Sequence, residues 1–342
     1  MPAGLAVAGG AVALGLAVLT AGLQLAGYDA AAALGALWNG AFGSWYAFTS
    51  GTLVRAVPLT IIGLGIALAF RGGAFNIGAE GQFYAGAIAA TWIGLHAGSL
   101  PAPLAVPIVM AGAALAGAMW VALPVWLQLR FGTIEVISTL VLNFVAESLV
   151  SLMVQGPLQE SGGIYPQSDT IAATARLPAL AGSRLHAGIL LALVGAAVLW
   201  YLFERTLWGF RLRAAGLGPR AAEIGGGINA RRMAAVALLA SGAVAGLAGA
   251  VEVTGVSYAL FQNLSPGYGF TAIAVALLAR LHPLGVVAAG ILFGALEAGA
   301  GAMQRDAGVP AVAVYVVEAV VMLAVVLAAA GQRASRAVRP AF

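Results

Sequence analysis

In 342 residues the chain carries sixteen basic and twelve acidic side chains, so that only 8% of it is charged and 62% is hydrophobic, where a soluble domain carries about 25% charge. That is too little charge to cover a soluble surface, and the composition predicts an all-α, polytopic transmembrane helical bundle. All sixteen basic residues are arginine and there is no cysteine, which excludes a Walker-type ATPase site, Schiff-base chemistry, disulfides and thiolate metal sites. His96, His186 and His282 stand far apart with no metal-ligand spacing, and nothing resembles a GxSxG nucleophile motif. No enzymatic centre and no cofactor bound by the chain itself are expected.

A span needs about 20 mainly apolar residues. In chain order the candidates are 4–26, 52–70, 76–97, 104–127, 133–154, 185–203, 233–256, 265–281, 284–304 and 309–330. The first has no charged leader segment and reads as a retained helix. Residues 38–48 place Trp38, Phe42 and Trp45 at i, i+4 and i+7, with Tyr46 and Phe48 nearby, and predict an interfacial aromatic helix on the outer face.

The run Phe75–Gln82 opens the third span with Asn76, Glu80 and Gln82 among Gly78 and Gly81. Polar side chains are costly in lipid and are kept where they line a cavity, pair or do work. The glycines let backbone leave regular helix or approach a neighbour. In the fifth span Glu135, Thr139, Asn143, Glu147 and Ser151 recur every four residues. Each step advances about 40° around a helix, giving one slowly winding polar stripe. Such a stripe either lines an aqueous route or pairs with polar groups elsewhere, for which Asn76, Glu80 and Gln82 are the candidates. Glu252, Glu297 and Glu318 are further acids in apolar segments, each either a structural pair or a functional carboxylate.

Span seven carries Ser241 to Gly249 with Gly242 and Gly246 in a GxxxG spacing, and span nine carries Gly294, Ala298 and Gly301; both suit close helix packing. Span eight is short and follows Ser265-Pro266-Gly267, as a re-entrant or half-membrane segment would. Two loops stand out. Residues 155–184 read as an external docking surface or cap, and residues 204–232 hold six arginines against Glu204 and Glu223.

Placing the N-terminus inside puts Arg71, Arg130, Arg205, Arg211, Arg213, Arg220, Arg231, Arg232, Arg280, Arg333, Arg336 and Arg339 on the cytoplasmic side. Only Arg55, Arg176, Arg184 and Arg305 then lie outside. This positive-inside bias supports about ten spans with both termini cytoplasmic, and the whole of 1–342 as a single transmembrane domain.

Several segments in this order resemble the permease subunits of ABC importers of the branched-chain amino acid, ribose and nucleoside group. They are residues 59–87 through Phe75-Asn76-Ile77-Gly78-Ala79-Glu80-Gly81-Gln82, the run Trp208 to Gly216 with Pro219, Ala221, Ala222 and Gly227-Ile228-Asn229, the stretch Ser241 to Ala250, and Gly267 to Leu278 with His282-Pro283-Leu284-Gly285. Within the group the resemblance points to the purine-nucleoside permeases that work with Bmp-type lipoproteins. It implies a translocation pathway for a small polar solute, nucleosides first, in a multi-pass protein of the bacterial cytoplasmic (inner) membrane. The implied partners are ABC ATPase subunits that bind the ATP and Mg, a second and different permease chain, a substrate-binding lipoprotein and the lipid bilayer, with no nucleic acid.

On this resemblance the pathway residues are Asn76, Glu80, Gln82, Thr139, Asn143 and Glu147. The ATPase-coupling residues are Arg213, Ala215, Gly216, Pro219, Ala221, Ala222 and Gly227, with a short helix near 217–226. Branched-chain amino acids or simple sugars are alternative cargoes. A proton-coupled carrier and a non-transport scaffold are alternatives of a different kind.

Overall fold

The computed structural model describes residues 2–180 and 182–310, together with 312, 313, 315, 316, 319, 320 and 323. Among them the regular structure is helical. This follows from the composition, because a backbone in lipid must satisfy its own polar groups and a helix does so within one segment. The helices are α1 (Pro2–Leu25), α2 (Ala30–Phe42), α3 (Val54–Arg71), α4 (Ala79–His96), α5 (Ala102–Phe131), α6 (Glu135–Val154), α7 (Gly188–Arg205), α8 (Leu207–Leu217), α9 (Pro219–Gly226), α10 (Ala230–Glu252), α11 (Tyr268–Leu278) and α12 (Pro283–Ala307). A π-helical turn, Ala47–Leu53, leads into α3, and a second, Val253–Ser257, extends α10.

Local signals fix the ends. Asp29 accepts from the Ala31 and Ala32 amides to start α2. Thr206 caps α8 through Gly209, and Asn229 caps α10 through Arg232; all three are favoured N-cap types.

The first nine predicted spans each fall on a helix, and six helical stretches are long and apolar enough to cross a membrane. The tenth, with Glu318, Arg333, Arg336 and Arg339, lies mostly outside the described residues. At 1.5 Å per residue α11 is only about 16 Å long, half of a ~30 Å hydrocarbon core, so the segment expected to be re-entrant is a half-length helix. The aromatic segment differs from expectation. Residues 38–48 do not form one helix: α2 stops at Phe42, the chain turns through Gly43 and Ser44, and the Ser44 hydroxyl accepts from the Ala47 amide to start a new one. Trp38, Phe42, Trp45 and Tyr46 are nonetheless exposed, as interfacial rings would be.

The chain divides into two compact units, Met1–Arg55 with Ile291–Phe342, and Ala56–Gly290. In the first, α2 lies against the second half of α12, where a side chain on Gly40 would meet Ala302 at 2.3 Å and one on Gly299 would meet the Leu37 carbonyl at 2.6 Å.

The second unit is organised around α4, α5 and α10, and here glycine decides the packing. A Cβ on Gly86 of α4 would lie 2.2 Å from the Gly246 carbonyl of α10. One on Gly117 of α5 would lie 2.2 Å from the Gly242 carbonyl, and one on Gly249 2.1 Å from the Phe83 carbonyl. Backbone meets backbone across all three helices, which is how membrane helices gain dispersion contact without a hydrophobic driving force.

Candidate functional site

The chain does not pass straight from α3 into α4. After Arg71 it leaves helix through residues 72–78 and runs inward, so that the Asn76 carboxamide donates to the Ser241 hydroxyl at 2.8 Å, about 16 Å along α10 from Ala230. Irregular backbone at that depth survives only where protein satisfies its polar groups.

Side chains from three elements do so. Asn76 and Gln82 exchange a reciprocal amide pair at 2.8 and 2.9 Å, and Asn76 also accepts from the Gly78 amide. Asn143 on α6 accepts from the Gly81 amide at 2.8 Å and donates to the Ile77 carbonyl at 2.9 Å. Glu135 accepts from the Phe75 amide and from Gln128. Thr139 donates to Glu135 of its own helix and sits against Gly78.

Glu80 performs a related task for α11. That helix begins at Gly267, which is at φ +99° and offers no side-chain cap. The Glu80 carboxylate accepts from the Gly269 amide and from the Ser265 hydroxyl. The same hydroxyl accepts from the Gly267 and Tyr268 amides. A carboxylate from one helix thus caps the positive end of another. Gly269 allows the approach, since a Cβ there would stand 2.3 Å from the Glu80 nitrogen.

Beside this junction lies a cavity of about 180 Å³ lined by Glu80, Tyr84, Asn143, Phe144, Glu147, Asn263, Ser265, Gly267 and Phe270. A second, of about 140 Å³, is lined by Tyr84, Glu147, Val150, Ser151, Gln262 and Asn263. Each is smaller than the roughly 300–1,000 Å³ of an ordinary small-molecule site, and they share Tyr84, Glu147 and Asn263 as a common wall.

Of the six predicted pathway residues, Glu80, Asn143 and Glu147 line this space. Asn76, Gln82 and Thr139 lie behind it and support the bend. Glu147 differs from the other two acids near it: it makes no hydrogen bond or ion pair with any described residue. Glu252 is buried at the end of α10 and Glu297 lies in the other compact unit.

Sequence reasoning missed Tyr84, Phe144, Gln262, Asn263 and Phe270. Tyr84 had a legible signal, since it follows Glu80 by one helical turn. Gln262 and Asn263 had none, because they sit in a connection whose inward course depends on the Asn263 and Gly267 backbones, at φ +57° and +99°.

The 155–184 loop is fastened to that same connection. Ser168 and Leu260 exchange two bonds, the Ile171 amide donates to the Tyr258 carbonyl, and the Leu177 amide donates to the Thr254 carbonyl. Arg176 stacks on Tyr258 at 4.8 Å.

Within the loop Glu160 accepts from Gln167 and the Tyr165 amide, and Asp169 from the Ser161 hydroxyl and amide; these bonds hold both carboxyls below their ordinary range. A depressed folded value means the bonds stabilise the loop above the ordinary carboxyl pKa near ~4 and are lost as pH falls through the lowered values. Amide hydrogen exchange at Ser161 and Tyr165 is therefore expected to stay slow from pH 7 to 5 and to quicken only in stronger acid. Protection that fades above pH 5 would contradict this.

In the arginine-rich segment 204–232, the short helix expected near 217–226 is α9. Pro219 opens it, Ala222 is buried, Ala221 is exposed, and Gly227 closes it at φ +60°. Ala215 and Gly216 press α8 onto the end of α3, where a Cβ on Gly216 would stand 2.1 Å from the Arg71 carbonyl. Arg213 and Arg71 reach Glu204 at 4.0 and 3.4 Å. Leu217 and Ile224 project outward, 83% and 81% exposed.

Residues 48–326 match the model of the family described as branched-chain amino acid transport system / permease component. The chain is 38% identical over 317 residues to the guanosine ABC transporter permease protein NupP of Bacillus subtilis, covering 92% of this chain and 90% of that one. It is 37% identical over 282 residues to the glucose ABC transporter permease protein TsgB13 of Haloferax volcanii, covering 79% and 74%. It is 33% identical over 281 residues to the nucleoside ABC transporter permease protein NupB of Lactococcus lactis, covering 79% and 77%. No solved structure matches.

Proposed function

We infer the function from one premise: the chain belongs to the branched-chain amino acid transport system / permease component family. It is a transport component, an ABC-type permease subunit in the cytoplasmic (inner) membrane, crossing it several times. The family match runs through both compact units, which supports reading 1–342 as one permease domain.

The cargo we propose is a nucleoside. Relatives named for guanosine and nucleosides support it, and the observation that carries it is the chemistry of the cavity. The rings of Tyr84, Phe144 and Phe270 offer faces to a flat base, while Glu147, Gln262 and Asn263 offer acceptors and donors to hydroxyls and base edges. Among the described residues no arginine lines the space, which disfavours a phosphorylated cargo.

The chain works with partners. ATP and Mg bind on ABC ATPase subunits, a lipoprotein delivers the solute from outside, and a second, different permease chain completes the pathway. Phe144 supports the last point, because it lines the cavity yet is 62% exposed in this chain alone. We assign the ATPase contact to α9 and its flanks. Ile224 and Leu217 supply apolar knobs, Ala221 permits close approach, and Arg220 supplies charge for acidic groups. Arg213, Ala215 and Gly216 hold the preceding α8 on the bundle, Ala222 buries one side of α9 and Gly227 closes it.

The test is uptake by proteoliposomes containing the full complex, with nucleosides, glucose and branched-chain amino acids competing. Nucleoside uptake driven by internal ATP and absent under a proton gradient alone is expected; uptake on the gradient without ATP would overturn the ABC mechanism. Competition by glucose but not nucleosides would move the cargo to a sugar. Ile224→Glu with Ala221→Glu is expected to lower ATP-driven uptake at least tenfold, or to lose the ATPase on co-purification, while the membrane chains still assemble. Coupled activity at the wild-type rate would remove α9 from the contact.

A further inference from the structure

The acids at the cavity are not equivalent, and the difference assigns a task to one of them. Glu80 is spent: its carboxylate holds the Gly269 amide and the Ser265 hydroxyl at the head of α11. Asn143 is spent on the Gly81 amide and the Ile77 carbonyl. Glu147 is the acid left with both oxygens free of any described hydrogen-bonding group, and it lies on the wall common to the two cavities.

Those cavities differ in kind. On the Phe144 and Phe270 side the space is bounded by aromatic rings. On the other side it is bounded, beyond the common wall, by Val150, Ser151 and Gln262. There Gln262 and Gln155 both donate to Ser151, which leaves the Gln262 carbonyl oxygen open as an acceptor. One half suits a flat ring and the other a polyhydroxylated one, with a charged acceptor where they meet.

The geometry points to Glu147 as the specificity-determining residue that reads the vicinal 2′,3′-hydroxyls of a ribonucleoside, with the base on the aromatic side and the sugar between Glu147, Gln262 and Asn263. This rests on the nucleoside reading of the site. A carboxylate offers two acceptor oxygens side by side, which matches two adjacent hydroxyl donors, and a hydrogen bond to a charged acceptor is worth more than a neutral one. A solute lacking those hydroxyls would displace water from the Glu147 carboxylate without giving it a donor in return.

The test measures uptake of a ribonucleoside, its 2′-deoxy form and its 2′,3′-dideoxy form into proteoliposomes holding the full complex. The same delivery protein is used for wild type and for Glu147→Gln, so a change in the uptake ratio belongs to the membrane chain. Wild type is expected to favour the ribonucleoside. Glu147→Gln is expected to lose roughly tenfold of that preference, the worth of one hydrogen bond to a charged group, with dideoxy uptake kept.

An unchanged ratio overturns the proposal, and so does equal loss of all three solutes. Glu147→Asp is run beside it, since it keeps the charge but withdraws it by one methylene. A reduced ribo preference there supports the assignment and a wild-type preference opposes it, however poorly the Gln variant accumulates. Wild-type complex that takes up no nucleoside sinks the nucleoside reading separately; the Glu147 assignment is then judged by the same ratio on ribose against 2-deoxyribose.

Discussion

Gly246→Leu is expected to prevent the chain from accumulating as a folded membrane protein. The carbon such a side chain must add would stand 2.3 Å from the Ala113 carbonyl and 3.1 Å from the Gly117 backbone, while the Gly246 carbonyl already faces Gly86 across α4. Overpacking in a core costs about 1–3 kcal/mol when neighbouring side chains can shift. Here the atoms met are backbone, so α10 must separate from α5 and take its contact with α4 along. The penalty is therefore placed above about 3 kcal/mol, which is a large part of the ~5–15 kcal/mol that holds a domain together.

The measurement is the monodisperse fraction of detergent-solubilised protein by size exclusion, with Gly35→Ala as the control because nothing lies within 4 Å of that position. A Gly246→Leu chain that elutes and melts like wild type would remove the glycine contact as the organising feature.

Half of that contact was legible before any coordinates. The spacing of Gly242 and Gly246 announces a helix that wants close neighbours, but nothing in it names them. Gly86 and Gly117 have no glycine four residues away in their helices, and without that spacing a glycine reads the same whether it faces lipid or another backbone.

The polar stripe of α6 was legible in a similar, partial way. Its winding of about 40° per step makes Glu135, Thr139, Asn143, Glu147 and Ser151 one slowly turning stripe. Between Thr139 and Glu147 it turns by about 80°, enough to carry the stripe from the buried seam with residues 76–82 to the cavity edge. So one periodic signal serves two roles: Thr139 and Asn143 are buried and Glu147 is exposed. Sequence periodicity gives the angle between residues of one helix, but not where the neighbouring helix stops covering it.

The run Phe75–Gln82 shows the same limit. Its chemistry, an acid and two amides among glycines, was visible, and the question left by the sequence was whether these groups touch solute or hold the structure. Three of the amides near it, Asn76, Gln82 and Asn143, are taken up by one another and by backbone. The reason is depth. A bend of irregular backbone inside the membrane requires a partner for every amide and carbonyl, and carboxamides, which both donate and accept, supply them best.

Asn143→Leu therefore carries the second large effect. Leucine is close in size to asparagine and suits lipid, so hydropathy alone would call the change favourable. In this fold it strands the Gly81 amide and the Ile77 carbonyl, both held by this one side chain. A buried backbone group left unpaired costs about 1–3 kcal/mol, so the pair predicts a loss of roughly 2–6 kcal/mol by the same principle. It should also bring loss of uptake, because the bend positions Glu80 and through it the head of α11.

Thr139→Val, one turn earlier in the same stripe, is the comparison. Its hydroxyl donates to carbonyls of its own helix, Glu135 at 2.7 Å and Val136 at 3.2 Å, back-bonds whose removal costs little. Thermal unfolding of the two solubilised variants separates the views. A stripe that merely wets a pathway would make both changes alike, whereas a stripe that satisfies re-entrant backbone makes Asn143→Leu severe and leaves Thr139→Val near wild type.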